Sequence, residues 1–468
     1  MAATAAPTDT IEIRDPSNGE PVGTIPAGDP EAVDAAVRAA RAAQPAWAAT
    51  PAGERAAALK RVAAAVREHA GELAARNARE SGKLLGDARG GVEAGAGAIE
   101  QYAELGPLHR GRSLQGAPLA HDAMVFAPHG VVAVIVPWND PVAIAAQGLA
   151  AALVTGNAVV LKPSERAPFC CGLLHELFAA ELPDGLVQLV QGDARAGRPL
   201  AAHPDVDVVL HTGSVAAGRD IAQACAARGA RAILELGGND PLIVDADVDP
   251  VWAAEQAASG AFANAGQICV AVERIYVHEA VAEPFVTALA ERARGLRVGP
   301  ATDPDSELGP LVDERAREAV HEQVAAAVAA GATAVTGGEP LDGPGAFYPA
   351  TVLTGVDASM AVMREETFGP VAPVQVVSPF DEALRLADDT PYGLAATALT
   401  ASQEHAARAA HELRAGTVKV NAVWGGAPGG AASPRGISGQ GLGYGPELLD
   451  ELTVVKVIHT EPAPPHHA

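Results

Sequence analysis

From position 131 the chain reads as a series of short apolar runs, VVAVIV, AVVLK, VQLV, VDVVL and AILEL, separated by Ala-rich stretches and punctuated by Gly or Pro. Continuous apolar strands that alternate with helices predict a parallel sheet covered on both faces. Such sheets bind ligands at the carboxyl ends of their strands. After Gly237 a second alternation begins, with helices predicted near 251–265 and 284–296 and strands near 275–277, 371–377 and 417–421. This is a second α/β domain. Upstream, Leu59, Val62, Val66 and Leu73 recur at amphipathic-helix spacing within 54–73, with Arg and Glu on the outer face. The two ends, 1–9 and 461–468, carry small polar residues and prolines that bury too little surface to order themselves.

Composition narrows the class. A chain of 468 residues exceeds the size at which one core stops growing, which predicts more than one domain. With 49% apolar and 19% charged residues, wholesale disorder is excluded. The excess of 57 acidic over 33 basic residues gives a net charge of −24; nucleic acid and anionic membranes are therefore not expected partners. No apolar run is long enough to span a bilayer, and the opening MAATAAPTDT lacks signal-peptide features, so a cytoplasmic location is expected.

The four cysteines, Cys170, Cys171, Cys225 and Cys269, show neither CxxC nor Cys/His metal spacing; no metal site and no disulfide framework are expected. Cys269 stands apart in a polar, Gly-flanked setting that raises the question of a nucleophile. The other three lie in Ala/Leu-rich helical contexts and read as structural. The Gly-rich stretch 436–445, GISGQGLGYG, does not match GxGxxG and follows no clear strand, which favours an irregular turn over a phosphate loop.

Five separated stretches resemble the aldehyde dehydrogenase superfamily, in its non-acylating, NAD(P)-dependent form. They are PWND from Pro137, LKPSE from Leu161, HTGSVAAGR from His211, ELGG from Glu235 with FANAGQIC ending at Cys269, and EETFGPV from Glu365. Their order also agrees, and the resemblance runs from about 14 to 458. The 34 residues from Glu235 to Cys269 and the 97 from Cys269 to Glu366 match the family's separations.

The resemblance implies a doubly wound parallel-sheet cofactor domain (10–109 and 128–236), a second α/β catalytic domain (237–424), and a small β-hairpin oligomerisation element (110–127 with 446–461). The last strand, near 453–460, would join that hairpin. A two-stranded ribbon is marginal alone, so a homodimer or homotetramer is expected.

The implied reaction is oxidation of an aldehyde to a carboxylic acid through a cysteine thioester. An sp³ carbon bearing an oxyanion is needed before hydride can leave, and a thiolate adding to the carbonyl creates it. Cys269 is the implied nucleophile. The Asn139 amide and the Cys269 backbone N–H would stabilise the oxyanion, and Glu235, ending an apolar strand, would activate the hydrolytic water. Lys162 and Glu165 are implied contacts of the adenosine ribose, and Glu165 leads to the expectation that NAD is preferred without excluding NADP. Gly213 and Ser214, between a strand and a helix, could turn backbone N–H groups toward the pyrophosphate, or Ser214 could simply cap the helix. Glu366 and Phe368 match the residues that hold the nicotinamide ribose and ring; Trp138, Ser164 and Leu236 complete the implied cofactor set.

Two competing readings are a coenzyme A-acylating dehydrogenase and a non-catalytic binding protein on the same fold. Glu235 argues against the first, and the joint presence of Cys269, Asn139 and Glu235 against the second. Departures from the family's pattern are Asn239, an atypical segment after Pro428-Gly429-Gly430, and Asp140, which stands where an aromatic or apolar group commonly lines the substrate tunnel. Asp140 predicts either a substrate with a hydroxyl or amino group near the aldehyde, or a carboxylate bonded to its own turn or to a basic neighbour.

Overall fold

A computed structural model describes residues 9–425 and 429–463. The ends expected to fray lie outside these residues, apart from Asp9 and 461–463, and so does Pro428. Two strands, β1 (Thr10–Arg14) and β2 (Pro21–Pro26), form an N-terminal antiparallel hairpin. Helices follow. The stretch 54–73 is two of them, Ala52–Glu68 and Ala70–Ser81, separated at His69 with φ −97° and ψ 12°. Leu59, Val62, Val66 and Leu73 are all buried; the apolar stripe continues across the bend, which is why periodicity reads as one helix.

After β3 (Arg112–Leu114) and β4 (His121–Pro128) comes the first large sheet. It contains β5 (Val131–Ile135), β6 (Ala158–Lys162), β7 (Val187–Leu189), β8 (Val208–Thr212) and β9 (Arg231–Glu235), all parallel, in the order β9-β8-β5-β6-β7. Every residue of β5 and β6 is buried, as the unbroken apolar runs require of strands covered on both faces. The chain winds outward from β5 to β7, then returns to β8. The switch point between β5 and β8 opens a crevice at their carboxyl ends.

The second sheet holds β10 (Asp240–Val244), β11 (Val272–His278), β12 (Thr333–Thr336), β13 (Thr351–Thr354), β14 (Val371–Val377), β15 (Ala395–Leu399) and β16 (Thr417–Val420), in the order β12-β13-β14-β11-β10-β15-β16. All pairings are parallel except β12 with β13. The sequence pattern did not reveal β10, β12, β13 or β15; DPLIV opens with Asp-Pro, and AATAL has little β-branched character. Each large sheet has its own hydrophobic core.

The Gly-rich stretch, expected as an irregular turn, opens with a 3₁₀ turn, Gly436–Ser438, and passes through a short strand before it becomes irregular. Its β17 (Gly439–Gln440) pairs antiparallel with the end of β9, Gly439 opposite Glu235. Gly439 has φ +139°, and a Cβ there would come to 1.9 Å of the Leu234 carbonyl, so only glycine lets the two strands meet. The next segment corrects the sequence reading of 446–461 as oligomerisation strand throughout. Leu448, Leu449 and Leu452, in and after the short helix Leu448–Glu451, are buried in the first core. Only β18 (Thr453–Thr460) joins β4 and β3 in a three-stranded ribbon. Among the described residues no helix is long and apolar enough to cross a membrane.

Candidate active site

The residues singled out in the sequence converge on the crevice. β5 runs into Pro137, Trp138 and Asn139, β6 into Lys162, Ser164 and Glu165, and β8 into Gly213 and Ser214, while β9 ends on Glu235 and Leu236. Facing them from the second sheet are the loop 263–271 with Cys269, before β11, and the loop 364–370 with Glu366 and Phe368, before β14.

The thiol loop is a strained turn. Asn264, Ala265 and Gly266 have φ of 49°, 54° and 73° in succession, an arrangement that costs of order 1–3 kcal/mol at each non-glycine residue and persists only where surroundings enforce it. Gln267 supplies that enforcement. Its Nε2 donates to the Asn264 carbonyl at 2.9 Å, and its Oε1 accepts from the Val312 N–H at 2.9 Å. Its carbonyl accepts from Asn264 Nδ2 at 3.2 Å and from Asn139 Nδ2 at 2.9 Å. Asn139, 8% exposed, thereby ties the end of β5 to the thiol loop. An amide has two N–H groups, so one remains for a substrate oxygen.

Cys269 is part-exposed. Burial pushes its thiol up to about 12, and the carboxylates of Asp240, Glu366 and Glu235 push in the same direction, opposed by its own backbone N–H. The resting group is a thiol. Among the described residues Glu235 is held by one bond, accepting from the Gly443 N–H at 3.0 Å, and burial pushes its carboxyl up to about 7. A base poised near neutral pH results.

Glu366 Oε1 accepts from the Gly238 N–H at 3.1 Å, and burial followed by the Glu273 charge raises its carboxyl. Two glycines make this approach possible: a Cβ on Gly237 would sit 2.3 Å from Glu366, and one on Gly238 would sit 2.4 Å from the Cys269 carbonyl. The Phe368 ring meets Trp138 edge to face, centroids 5.5 Å apart.

Sequence reasoning missed what holds this second loop. Glu273, buried in β11, accepts from Thr367 N–H at 3.0 Å, Phe368 N–H at 2.8 Å and Asn239 Nδ2 at 3.1 Å. Phe368 is thereby kept at φ 51°. The fully buried Arg274 beside it donates to the Asn239 and Ala387 carbonyls at 2.8 and 2.9 Å. A charged pair inside the otherwise apolar strand VERIYVH was the available signal.

On the cofactor side Lys162 is buried and its Nζ donates to the Pro163 carbonyl at 2.7 Å; burial lowers its pKa. Ser164 Oγ accepts from the Arg166 N–H at 3.2 Å, and Glu165 is part-exposed. Leu236 is buried next to Gly218, in the helix Val215–Ala226. Ser214 caps that helix, Oγ accepting from Ala217 N–H at 3.3 Å. Gly213 requires a correction, since its N–H donates to the Glu235 carbonyl at 3.0 Å and is not turned toward a phosphate. Its strand-like bond continues the β8–β9 pairing by one residue.

His211, on β8, has Nδ1 3.2 Å from the Ile135 carbonyl, while its buried Nε2 has no partner among the described residues. Burial lowers the imidazole to about 4. A separate cleft of about 560 Å³, lined by residues that include Glu80, Glu165, Arg166 and Asp313, opens beside Glu165 and does not reach Cys269. Asp140, finally, lies 2.8 Å from Lys83 Nζ, so it has the basic neighbour that was one of its two readings.

Comparison with known proteins agrees with this geometry. The sequence model of the aldehyde dehydrogenase family matches residues 3–458. The chain is 39% identical to a benzaldehyde dehydrogenase [NAD(+)] of Pseudomonas putida, over 87% of this chain and 84% of that one. It is 41% identical to a 3,6-anhydro-alpha-L-galactose dehydrogenase of Streptomyces coelicolor, over 88% and 85%. The crystal structure of lactaldehyde dehydrogenase from Escherichia coli superposes with a TM-score of 0.94 at 35% identity, covering 97% of this chain and 96% of that one.

Proposed function

We propose that this chain, which belongs to the aldehyde dehydrogenase family and is an NAD(P)-dependent aldehyde dehydrogenase, works through Cys269, Asn139 and Glu235. The observation that carries the assignment is the 2.9 Å bond from Asn139 to the Gln267 carbonyl, which sets an amide donor beside the thiol loop. Cys269 Sγ gives up its proton to solvent water, and the Glu235 carboxylate, which titrates near neutrality, stays available for the later hydrolysis. The thiolate then adds to the aldehyde carbon. The carbonyl oxygen takes up the electron pair and is stabilised by the second Asn139 N–H and the Cys269 backbone N–H. When bound, NAD(P) supplies the hydride acceptor. The thioester left on Cys269 is hydrolysed by water that Glu235 deprotonates, and the Cys269 thiolate is the leaving group.

Trp138, Lys162, Ser164, Glu165, Ser214, Leu236, Glu366 and Phe368 form the cofactor wall in this reading, with Gly213 contributing shape and no N–H. Glu165 favours NAD, because a 2′-phosphate would meet its carboxylate. The division into a cofactor domain (10–109 with 128–236), a catalytic domain (237–424) and an oligomerisation element (110–127 with 453–460) is part of the proposal, supported by the two separate cores. So is a homodimer or homotetramer, supported by Val454, Val455, Val457 and Ile458 of β18, all more than 40% exposed on a strand whose apolar side chains need cover. A cytoplasmic location is in keeping with the four free cysteines. The test is aldehyde-dependent NADH formation together with NADH binding. Cys269→Ala should abolish turnover and leave NADH affinity within about threefold; retained oxidation removes Cys269 from the mechanism.

A further inference from the structure

The helix Pro141–Val154 is buried all round except along one stripe. Asp140, Ala143, Ile144 and Gln147 are part-exposed, while Pro141, Val142, Ala145, Ala146 and Gly148 among them are buried. Those four positions, i, i+3, i+4 and i+7, share one helix face. Both ends of the stripe touch the reaction machinery. Asn139, one residue before it, bonds the Gln267 carbonyl two residues from Cys269. At the other end Gln147 Nε2 donates to the Gly443 carbonyl at 2.9 Å, and the Gly443 N–H holds Glu235 at 3.0 Å. The open face of this helix therefore walls the approach to the thiol between nucleophile and base.

One end of that wall is polar. An aspartate in the N-cap position ordinarily accepts a bond from the helix's first N–H groups, but Asp140 makes no such bond. Its carboxylate turns to Lys83 instead, with side chains 35% and 10% exposed respectively. Gly91, on the helix Leu85–Leu105, makes room for this; a Cβ there would lie 2.4 Å from Asp140 Oδ1. Oδ1 is buried against Lys83 Nζ, so the exposure of the Asp140 side chain falls on its other atoms, which can meet a ligand.

We propose that the Lys83–Asp140 pair is a hydroxyl-recognition subsite, and that the substrate is an aldehyde carrying a hydroxyl on the carbon next to the carbonyl or one further along. This rests on the reading of Cys269 and Asn139 above. An ammonium beside a carboxylate offers a donor and an acceptor together, and a hydroxyl is the substituent that uses both. An anionic group on the substrate would meet Asp140 and also Asp87, whose charge acts on the same pair. A cationic group would meet Lys83. An alkyl chain would desolvate the pair and return nothing, which is how sites built to bond a hydroxyl reject analogues that lack it.

The experiment compares kcat/KM, from NADH formation, for glycolaldehyde and lactaldehyde against acetaldehyde and propanal, with succinic semialdehyde and an aminoaldehyde as charged probes. The hydroxy-to-alkyl ratio should be at least about 10 in the wild type and should fall toward 1 in the Lys83→Met/Asp140→Leu double variant. That variant removes both charges together and leaves neither one buried alone; a thermal melt checks that it folds. Asp140→Asn, close to the native shape, should lower the ratio by a smaller factor. A wild-type ratio near 1, an unchanged ratio in a folded double variant, or a higher efficiency with either charged probe overturns the subsite. Failure to oxidise any aldehyde is a different result, and overturns the catalytic reading beneath it.

Discussion

Replacing Glu235 by Gln should have two opposite effects with one cause. The wild-type carboxyl titrates at about 7 against an ordinary 4.5, because burial disfavours its charged form and a single N–H from Gly443 offsets only part of that. A folded pKa above the unfolded one means that the group's stability contribution is complete below 4.5 and is lost as pH rises through about 7. At about 1.4 kcal/mol per pH unit the loss approaches roughly 3 kcal/mol in the wild type by pH 8. Gln has no charge to bury and can still accept the Gly443 bond through its Oε1. The melting temperatures of variant and wild type should therefore agree best near pH 4.5 to 5 and diverge toward pH 8, the variant being the more stable; other titrating groups are common to both and cancel. Activity should move the other way. Without its general base, thioester hydrolysis should slow by about 10² to 10⁴, so stopped-flow absorbance should show a burst of NADH before a slow steady state. In the wild type, hydrolysis should rise with pH around a midpoint near 7. A steady-state rate within threefold of wild type, or a melting difference that stays flat from pH 5 to 8, would refute the assignment of Glu235 as a buried, functioning base.

Asn139→Ala should lower kcat by about 10² to 10³, the usual loss for one oxyanion donor, while Asn264 keeps its own bond to the Gln267 carbonyl at 3.2 Å; a loss under threefold would leave Asn139 as a loop anchor only. Wild-type kcat/KM should be higher with NAD than with NADP, and Glu165→Gln should raise the NADP value by about 10-fold, because two unit charges ~4 Å apart repel by up to about 4 kcal/mol at an effective dielectric of ~20, before side-chain movement relieves most of it. Equal wild-type efficiencies would show that Glu165 does not face the ribose.

Where a signal is local, the sequence carries it. AVVLK becomes a strand at its expected bounds, because a strand buried on both faces leaves no polar position to blur its edges; VAPVQVV keeps its expected bounds too, although Gln375 is part-exposed and Val376 exposed. AATAL becomes an equally buried strand without any such mark, since Ala serves helix and strand alike and only the neighbours β10 and β16 decide. The bend at His69 escapes for the reverse reason: the periodicity survives it.

The site divides along the same line. Cys269, Glu235, Asn139, Glu366 and Phe368 stand in recognisable segments, and the chain brings those segments to one crevice because each follows the carboxyl end of a strand or precedes the strand facing it. What no segment announces is the hydrogen bonding between distant ones. Gly213 looks like a phosphate-facing glycine until the Glu235 carbonyl, from the neighbouring strand, takes its N–H. Asp140 looks like a helix cap or a misplaced tunnel residue until Lys83, 57 positions earlier in the sequence, is found 2.8 Å away. Glu273 reads as a charge stranded in an apolar run, yet it accepts three N–H groups and fixes the backbone of Phe368. A polar group's role depends on its partner, and partners so far apart in the chain are chosen by the packing of the two sheets. Substitutions at Glu273 and at Lys83 should therefore change the chemistry at Glu366 and Asp140 respectively, although neither lies in a segment that resembles anything catalytic.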